Sequence, residues 1–301
     1  MNSGMLVRAM LHSSRASFLM LAPVCVLLGA ATATATTGGI SWPLLALVLL
    51  CGVLGHASVN LLNEYLDFRS GLDFRTCRTA FSGGSGFLPA NPSAAPLVLV
   101  LGVGSLLLVC LAGLYLVWLR GPGLLLPGLL GVLLVLTYTS HLNRQPVLCW
   151  VAPGLGFAVA LVLGSHYVLA GRYGASVWMA ALVVFVLVNN LLLLNQFPDI
   201  EADRSVGRRH LLTEFGPGPS AVMYGLTSCC VPLVVLVAVW QQLWSPWALL
   251  ALLPWSLTLV SLRGALRYGA DLGSHGQPLA SNVIAVLATP SVLALVIWLN
   301  G

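Results

Sequence analysis

The side chains with the means for chemistry are gathered in two stretches of this sequence. Its eight acidic residues are Glu64, Asp67, Asp73, Asp199, Glu201, Asp203, Glu214 and Asp271, and the first six fall within residues 61–73 and 193–211. The stretches open alike: Leu61-Leu62-Asn63-Glu64-Tyr65-Leu66-Asp67 and Leu193-Leu194-Asn195-Gln196-Phe197-Pro198-Asp199 agree at four positions, which marks an internal repeat. Residues four apart share a helix face, so Asn63 and Asp67 form one set and Asn195, Asp199 and Asp203 another. Gly71 is suited to end a helix and lets Asp73 fold back toward Asp67, while Pro198 disrupts the turn before Asp199. Carboxylates crowded at a membrane face repel one another and lose solvation, so a positive partner is required. Magnesium fits, because it takes oxygen ligands and is commonly held by one or two carboxylates together with substrate phosphates. Arg75, Arg78, Arg144, Arg208 and Arg209 are near in sequence or on the same face, with the forked geometry that suits phosphate oxygens. The expected chemistry is a diphosphate site with Asp67, Asp73, Asp199 and Asp203 on Mg2+ and with Asn63 and Asn195 orienting ligands or phosphate.

Simpler roles compete for some of these groups. Glu64, Glu201 and Arg69 read equally well as interfacial ion pairs at helix ends, which contribute little when exposed. Glu214 and Asp271 stand outside the repeat and read as solvated loop residues. Of seven cysteines, all but Cys77 sit in apolar runs, with no metal-ligand spacing, as expected of packing residues.

The elements that position these groups are membrane helices. Of the 301 residues 58% are hydrophobic and 7% charged, with a mean hydropathy of +0.96, far outside the soluble range. Spans need roughly 20 apolar residues, and residues 16–36, 41–66, 94–119, 122–140, 147–170, 174–197, 220–240, 246–262 and 278–300 qualify. The expected fold is therefore an all-α, nine-transmembrane-helix bundle forming one domain over 1–301, its first ~15 residues a flexible cytoplasmic tail. Arg8 and Arg15 ahead of an apolar run and a small-residue tract also describe a cleavable signal; we expect a retained helix that pairs with the second span. If the N-terminus and even-numbered loops share one side, that side holds Arg8, Arg15, Arg69, Arg75, Arg78, Arg144, Arg204, Arg208, Arg209, Arg263 and Arg267, and the other only Arg120 and Arg172. This bias puts both acidic stretches at the cytoplasmic face. Between them in sequence, Thr79-Ala80-Phe81-Ser82-Gly83-Gly84-Ser85-Gly86 offers tight turns and backbone N–H groups. It is either a cover for a ligand or a flexible connector.

Asn63-x3-Asp67-x5-Asp73 and Asn195-x3-Asp199-x3-Asp203, followed by Gly207-Arg208-Arg209, resemble the two aspartate-rich motifs of the UbiA superfamily of intramembrane prenyltransferases. The first is similar to the form found in the branch that prenylates 1,4-dihydroxy-2-naphthoate, the MenA-like branch of menaquinone biosynthesis. Tyr138-Thr139 and Gly164-Ser165-His166-Tyr167-Val168 add to that likeness, which runs from about Arg15 to His210. Departures are Pro198 and Arg208, where that branch often has arginine and lysine, and residues 140–144, which lack a proline-rich form. They bear on acceptor choice more than on the diphosphate site.

The resemblance implies a nine-span fold and Mg2+-dependent transfer of a prenyl group from an allylic diphosphate to a small, aromatic acceptor at a bacterial inner membrane, with diphosphate released. The ring of Tyr138 or Tyr65 would stabilise an allyl cation through its face. His141, His166 and His210 are candidate proton acceptors, His166 also a packing residue within a span. Arg15 is expected either to anchor the membrane face or to meet an acceptor carboxylate. Trp118, Trp240, Trp244 and Trp247 read as an interfacial belt. Membrane lipid is the surrounding partner, and nothing points to nucleic acid. The acceptor alternatives are another phenolic acid or a glycerophosphate. A secondary transporter is the non-enzymatic rival, but transporters place ionisable residues near the midplane. A CDP-alcohol lipid phosphotransferase would carry a DGxxAR pattern, which is absent.

Overall fold

The computed structural model describes residues 9–16, 18–79 and 81–300; Arg8 and Ala80 lie outside them. Helices make up most of the described chain: α1 (Leu21–Thr37), α2 (Trp42–Ser70), α3 (Pro92–Arg120), α4 (Pro122–Thr137), α5 (Pro146–Ala170), α6 (Ala175–Ser205), α7 (Pro217–Trp240), α8 (Pro246–Ser274) and α9 (Gly276–Asn300). Seven of these are long and apolar enough to cross a membrane, whereas α1 and α4 are shorter apolar helices. The chain is an integral membrane protein, and the nine expected spans become seven full-length ones and two short ones. Local geometry shortens the two. Residues 14–16 and 18–20 form turns, with Arg15 at φ +52°, before α1 begins, and α4 stops at Thr137, so Tyr138 lies beyond it.

Expected boundaries shift elsewhere for similar reasons. The seventh helix begins at Pro217 and is interrupted at Cys229, and the eighth continues in tighter turns to Ser274. Of the expected tail, residues 9–13 are helical, and Ala9 packs with Leu61, Phe87 and Leu88; residues 1–8 lie outside the described residues. Helix α1 sits in the core against α5 and α9, while the main partner of α2 is α3. Gly29 permits the close approach of α1 to α5, since a Cβ there would meet Ser165 Oγ at 2.1 Å.

The main core joins α1, α5, α6, α7, α8 and α9, with α6 the most buried of the seven long helices. Apolar side chains such as Leu111, Trp118, Leu129, Leu233, Trp240 and Leu299 point outward, as a hydrocarbon solvent requires. Trp244 is not among them. It is buried and donates from Nε1 to Ser176 Oγ at 2.9 Å.

Pro153 removes a donor inside α5. The next N–H, of Gly154, goes to Asn189 Oδ1 of α6 at 2.7 Å, and residues Gly156–Leu163 widen into π-helical turns. Such insertions recur at functional sites. Here the widened segment turns Gly156, Phe157 and Ala160 toward an internal cavity.

Candidate active site

One cavity of about 420 Å³ runs between α2, α3, α4, α5 and the end of α6. Its polar end is made by both repeats. From α2 come Asn63 and Asp67, with Asp73 just beyond Gly71, whose φ of +80° ends the helix. From α6 come Asn195, at the end of its regular helix, Asp199, on the tight turn Phe197–Asp199 that contains Pro198, and Asp203, on the helical turn Ile200–Ser205. The i, i+4 spacing works as geometry predicts on α2: Asn63 Nδ2 donates to Asp67 Oδ2 at 2.8 Å, and Thr139 Oγ1 holds Asn63 Oδ1 at 2.9 Å.

Arg208 joins the two halves. It donates from Nη2 to Asp67 Oδ1 and from Nη1 to Asp203 Oδ1 at 3.1 Å. His210 Nε2 holds the other oxygen of Asp203 at 3.1 Å. Burial acts to lower the Arg208 pKa, but Asp67 and Asp203 outweigh it and raise it well above the usual guanidinium value. Its charge is therefore fixed at any working pH.

The glycine-rich segment covers this end. Thr76, Phe81, Ser82, Gly83 and Gly84 line the cavity, and the Gly83 N–H is directed at the Asp199 carboxylate. Gly84, at φ +73°, lies so near that a Cβ would meet Asp73 Oδ1 at 2.7 Å. Glu64 shapes this cover instead of pairing with an arginine. It is fully buried and accepts both the backbone N–H and the hydroxyl of Ser85.

The donor set suits a hard cation. Asp73 Oδ2, Asp199 Oδ1 and Asn195 Oδ1 are shielded from solvent without a hydrogen-bond partner, a state buried polar atoms rarely tolerate. Among the described residues no three acidic, histidine or cysteine side chains converge closely enough to cage a metal by themselves. Magnesium shared between one or two carboxylates and a substrate's phosphate oxygens does not require such a cage. Burial, with Glu64 and Asp67 close by, pushes the Asp73 carboxyl up to about 7 against the opposing pull of Arg15 and Arg208.

A match to the model of the UbiA prenyltransferase family extends over residues 22–272, most of the sequence. The chain belongs to the UbiA prenyltransferase family. Solved structures show the same fold at low identity. A digeranylgeranylglyceryl phosphate synthase aligns over 97% of this chain and 99% of its own, at 14% identity and a TM-score of 0.69. A UbiA homologue from Archaeoglobus fulgidus bound to DMAPP and Mg2+ aligns over 97% and 99%, at 14% identity and 0.62. The apo UbiA homologue from Aeropyrum pernix K1 aligns over 94% and 98%, at 15% identity and 0.69. No curated protein matches the sequence.

In this UbiA-family chain the arginines separate sharply. Of the arginines among the described residues, Arg208 and Arg15 line the cavity and the others do not. Arg75 lies outside and donates to Ser205, Arg209 is exposed and bonded through Nε and Nη2 to Glu214, and Arg144 is exposed. Arg78 packs its guanidinium against Gly86 behind the loop. Glu201 pairs with Arg204 at 2.7 Å on the surface. Tyr138 faces the cavity beside Cys149, whereas Tyr65 does not line it. His141 is exposed beside Ser140, and His166 is fully buried with Nδ1 on Thr32 Oγ1 at 2.9 Å.

His56 and Asn60 also line the cavity. Sequence reasoning passed them by, yet His56, Asn60, Asn63 and Asp67 lie at i, i+4, i+7 and i+11, a single helix face. Extending the repeat's face one turn at a time back along α2 would have found them.

Proposed function

We propose that this protein catalyses Mg2+-dependent transfer of a prenyl group from an allylic diphosphate to an aromatic acceptor of the 1,4-dihydroxy-2-naphthoate kind, on the cytoplasmic side of a bacterial cell membrane. The observation that carries this reading is the cavity itself. Both carboxylate sets and Arg208 stand at one end, and apolar side chains with small glycines continue from it along α2, α4 and α5. A diphosphate head and a prenyl tail demand that pairing of surfaces. Asp67, Asp73, Asp199 and Asp203 would hold Mg2+, with Asn63 and Asn195 fixing carboxylate or phosphate positions. When bound, Mg2+ supplies Lewis acidity that favours departure of the diphosphate. Arg208 adds a permanent charge for the leaving group. The Tyr138 ring, which lines the cavity, would stabilise an allyl cation, and the apolar lining would shield it from water. Arg15, beside Asp73 and His56, offers a cation to an acceptor carboxylate. The cytoplasmic placement is supported by the arginine asymmetry of the loops.

Likeness in fold to a digeranylgeranylglyceryl phosphate synthase favours a second reading, with a glycerophosphate as acceptor. One assay separates them. Protein in nanodiscs is supplied with Mg2+ and geranylgeranyl diphosphate, and products are followed over a panel of naphthoate, phenolic acid and glycerophosphate acceptors. The expected result is an aromatic product that needs Mg2+ and is lost in Asp199→Asn. Product from the glycerophosphate alone would move the assignment to the second reading. No product with any acceptor, and no Asp199-dependent binding of the diphosphate, would overturn both.

A further inference from the structure

Where the polar end of the cavity gives way to its apolar part, the lining holds one uncommitted imidazole. His56 lies seven residues before Asn63 on the same face of α2, about 10 Å deeper by helical rise, and its ring lines the cavity. Phe157, from the widened segment of α5, holds that ring edge to face at 4.9 Å and 86°. Nδ1 is shut off from solvent and has no hydrogen-bond partner, which leaves Nε2 as the nitrogen that meets the cavity. Arg15 is the charged group facing the ring.

We infer that His56 is a catalytic residue that accepts the proton lost by the acceptor. The inference rests on the prenyl-transfer reading above. In that reaction the C1–O bond of the prenyl diphosphate breaks, and its electron pair leaves with the diphosphate. A nucleophilic carbon or oxygen of the acceptor bonds to C1, and the hydrogen it carried departs as a proton to Nε2. The acceptor must reach C1, so its proton is released at the head–tail junction, where His56 stands. Other bases are engaged or absent there. The carboxylates are committed to the metal and to Arg208, and His210 Nε2 is tied to Asp203. His166 is bonded to Thr32, and His141 is on the surface.

The test compares wild type, His56→Gln and His56→Ala in nanodiscs. Two quantities are read: Mg2+-dependent binding of geranylgeranyl diphosphate, and product formation with whichever acceptor wild type uses. Both variants should bind the diphosphate as wild type does while kcat for transfer falls about 100-fold, the order expected of a lost general base. With Mg2+ and both substrates held at saturation, so that the Asp73-dependent fall in metal binding does not enter, the acid limb of the kcat–pH profile should vanish, and added imidazole should restore part of the rate in His56→Ala. Wild-type kcat in His56→Gln, with the acid limb kept, would overturn the assignment. Loss of diphosphate binding in both variants alongside transfer would also overturn it, because His56 would then be structural. A wild-type protein that binds no prenyl diphosphate would remove the functional reading itself, and this inference with it.

Discussion

Ser85 donates both its backbone N–H, at 3.2 Å, and its hydroxyl to the fully buried carboxylate of Glu64. The same hydroxyl oxygen accepts the Phe87 N–H at 3.0 Å, so one acidic side chain on α2 fixes the end of the glycine-rich segment over the cavity. Truncation in Glu64→Ala leaves two buried donors without partners, at a cost of about 1–3 kcal/mol. Glu64→Gln keeps one acceptor oxygen and should cost less. Thermal unfolding checks the order of the two variants. Limited trypsin digestion checks the place: cleavage after Arg75 and Arg78 should quicken in Glu64→Ala and little in Glu64→Gln. Equal cleavage in both variants and wild type would mean that the segment is held by something else.

Gly84 and Gly71 separate strain from contact. Both are left-handed, at φ +73° and +80°, but a Cβ at Gly84 would meet Asp73 Oδ1 at 2.7 Å, whereas nothing lies within 4 Å of one at Gly71. Alanine at either position carries the left-handed penalty of about 1–2 kcal/mol. Only Gly84→Ala should also displace Asp73. Its Mg2+-dependent affinity for prenyl diphosphate should drop about tenfold, a loss near 1.4 kcal/mol, with Gly71→Ala unchanged. Parallel titrations of the two variants decide it, and equal affinities would show that Asp73 does not need its present position.

With its carboxyl raised to about 7 by burial and by Glu64 and Asp67, Asp73 should make metal binding depend on pH near neutrality. Only the carboxylate is a ligand, so below that value the metal must displace a proton, while above it none is released. Apparent Mg2+ affinity should therefore fall from pH 8 to pH 6, approaching tenfold per unit at the acid end. Asp73→Asn should bind Mg2+ more weakly, with a flatter profile. Titrations followed by prenyl diphosphate binding measure this, and a wild-type profile as flat as the variant's would refute it.

The repeat was legible because its chemistry follows helical spacing. Asn63 and Asp67 are one turn apart and bond directly, and Gly71 and Pro198 mark the turns that bring Asp73 and Asp199 inward. Neighbours in sequence were harder to separate. Glu64 follows Asn63 and so points to a different side of α2, where only the fold supplies Ser85 as its partner. Arg208 and Arg209 diverge in the same way, one into the cavity and one to Glu214. Arg75, Arg78 and Arg144 were near the site by sequence and topology, which fix the membrane face but not the direction of a loop side chain. Short helices were over-read for a related reason: apolar sequence runs from Phe18 into α1 and on through Tyr138 after α4, although the backbone turns at 18–20 and α4 ends at Thr137.

On the proposed reading, small residues on the cavity wall should set how long a prenyl chain it admits. From Asp67 to Val48, both in the lining, α2 faces the cavity over nineteen residues, about 28 Å by helical rise. With C–C bonds of about 1.5 Å, an isoprene unit extends roughly 5 Å, so a geranylgeranyl chain of about 20 Å fits with room for about one further unit. Gly113 of α3 and Gly128 of α4 line the part remote from the carboxylates, and nothing lies within 4 Å of a Cβ placed on either. Leucine at these positions enters open space, and exchange of a helical glycine favours the helix by about 0.5–1 kcal/mol. Gly113→Leu and Gly128→Leu should thus remain folded, with unchanged or raised melting temperatures, while kcat/KM shifts toward farnesyl over geranylgeranyl diphosphate by about tenfold. Competition between the two diphosphates, read by the length of the product chain, measures the shift. An unchanged ratio in both variants would mean that the tail leaves the cavity before reaching α3 and the outer half of α4.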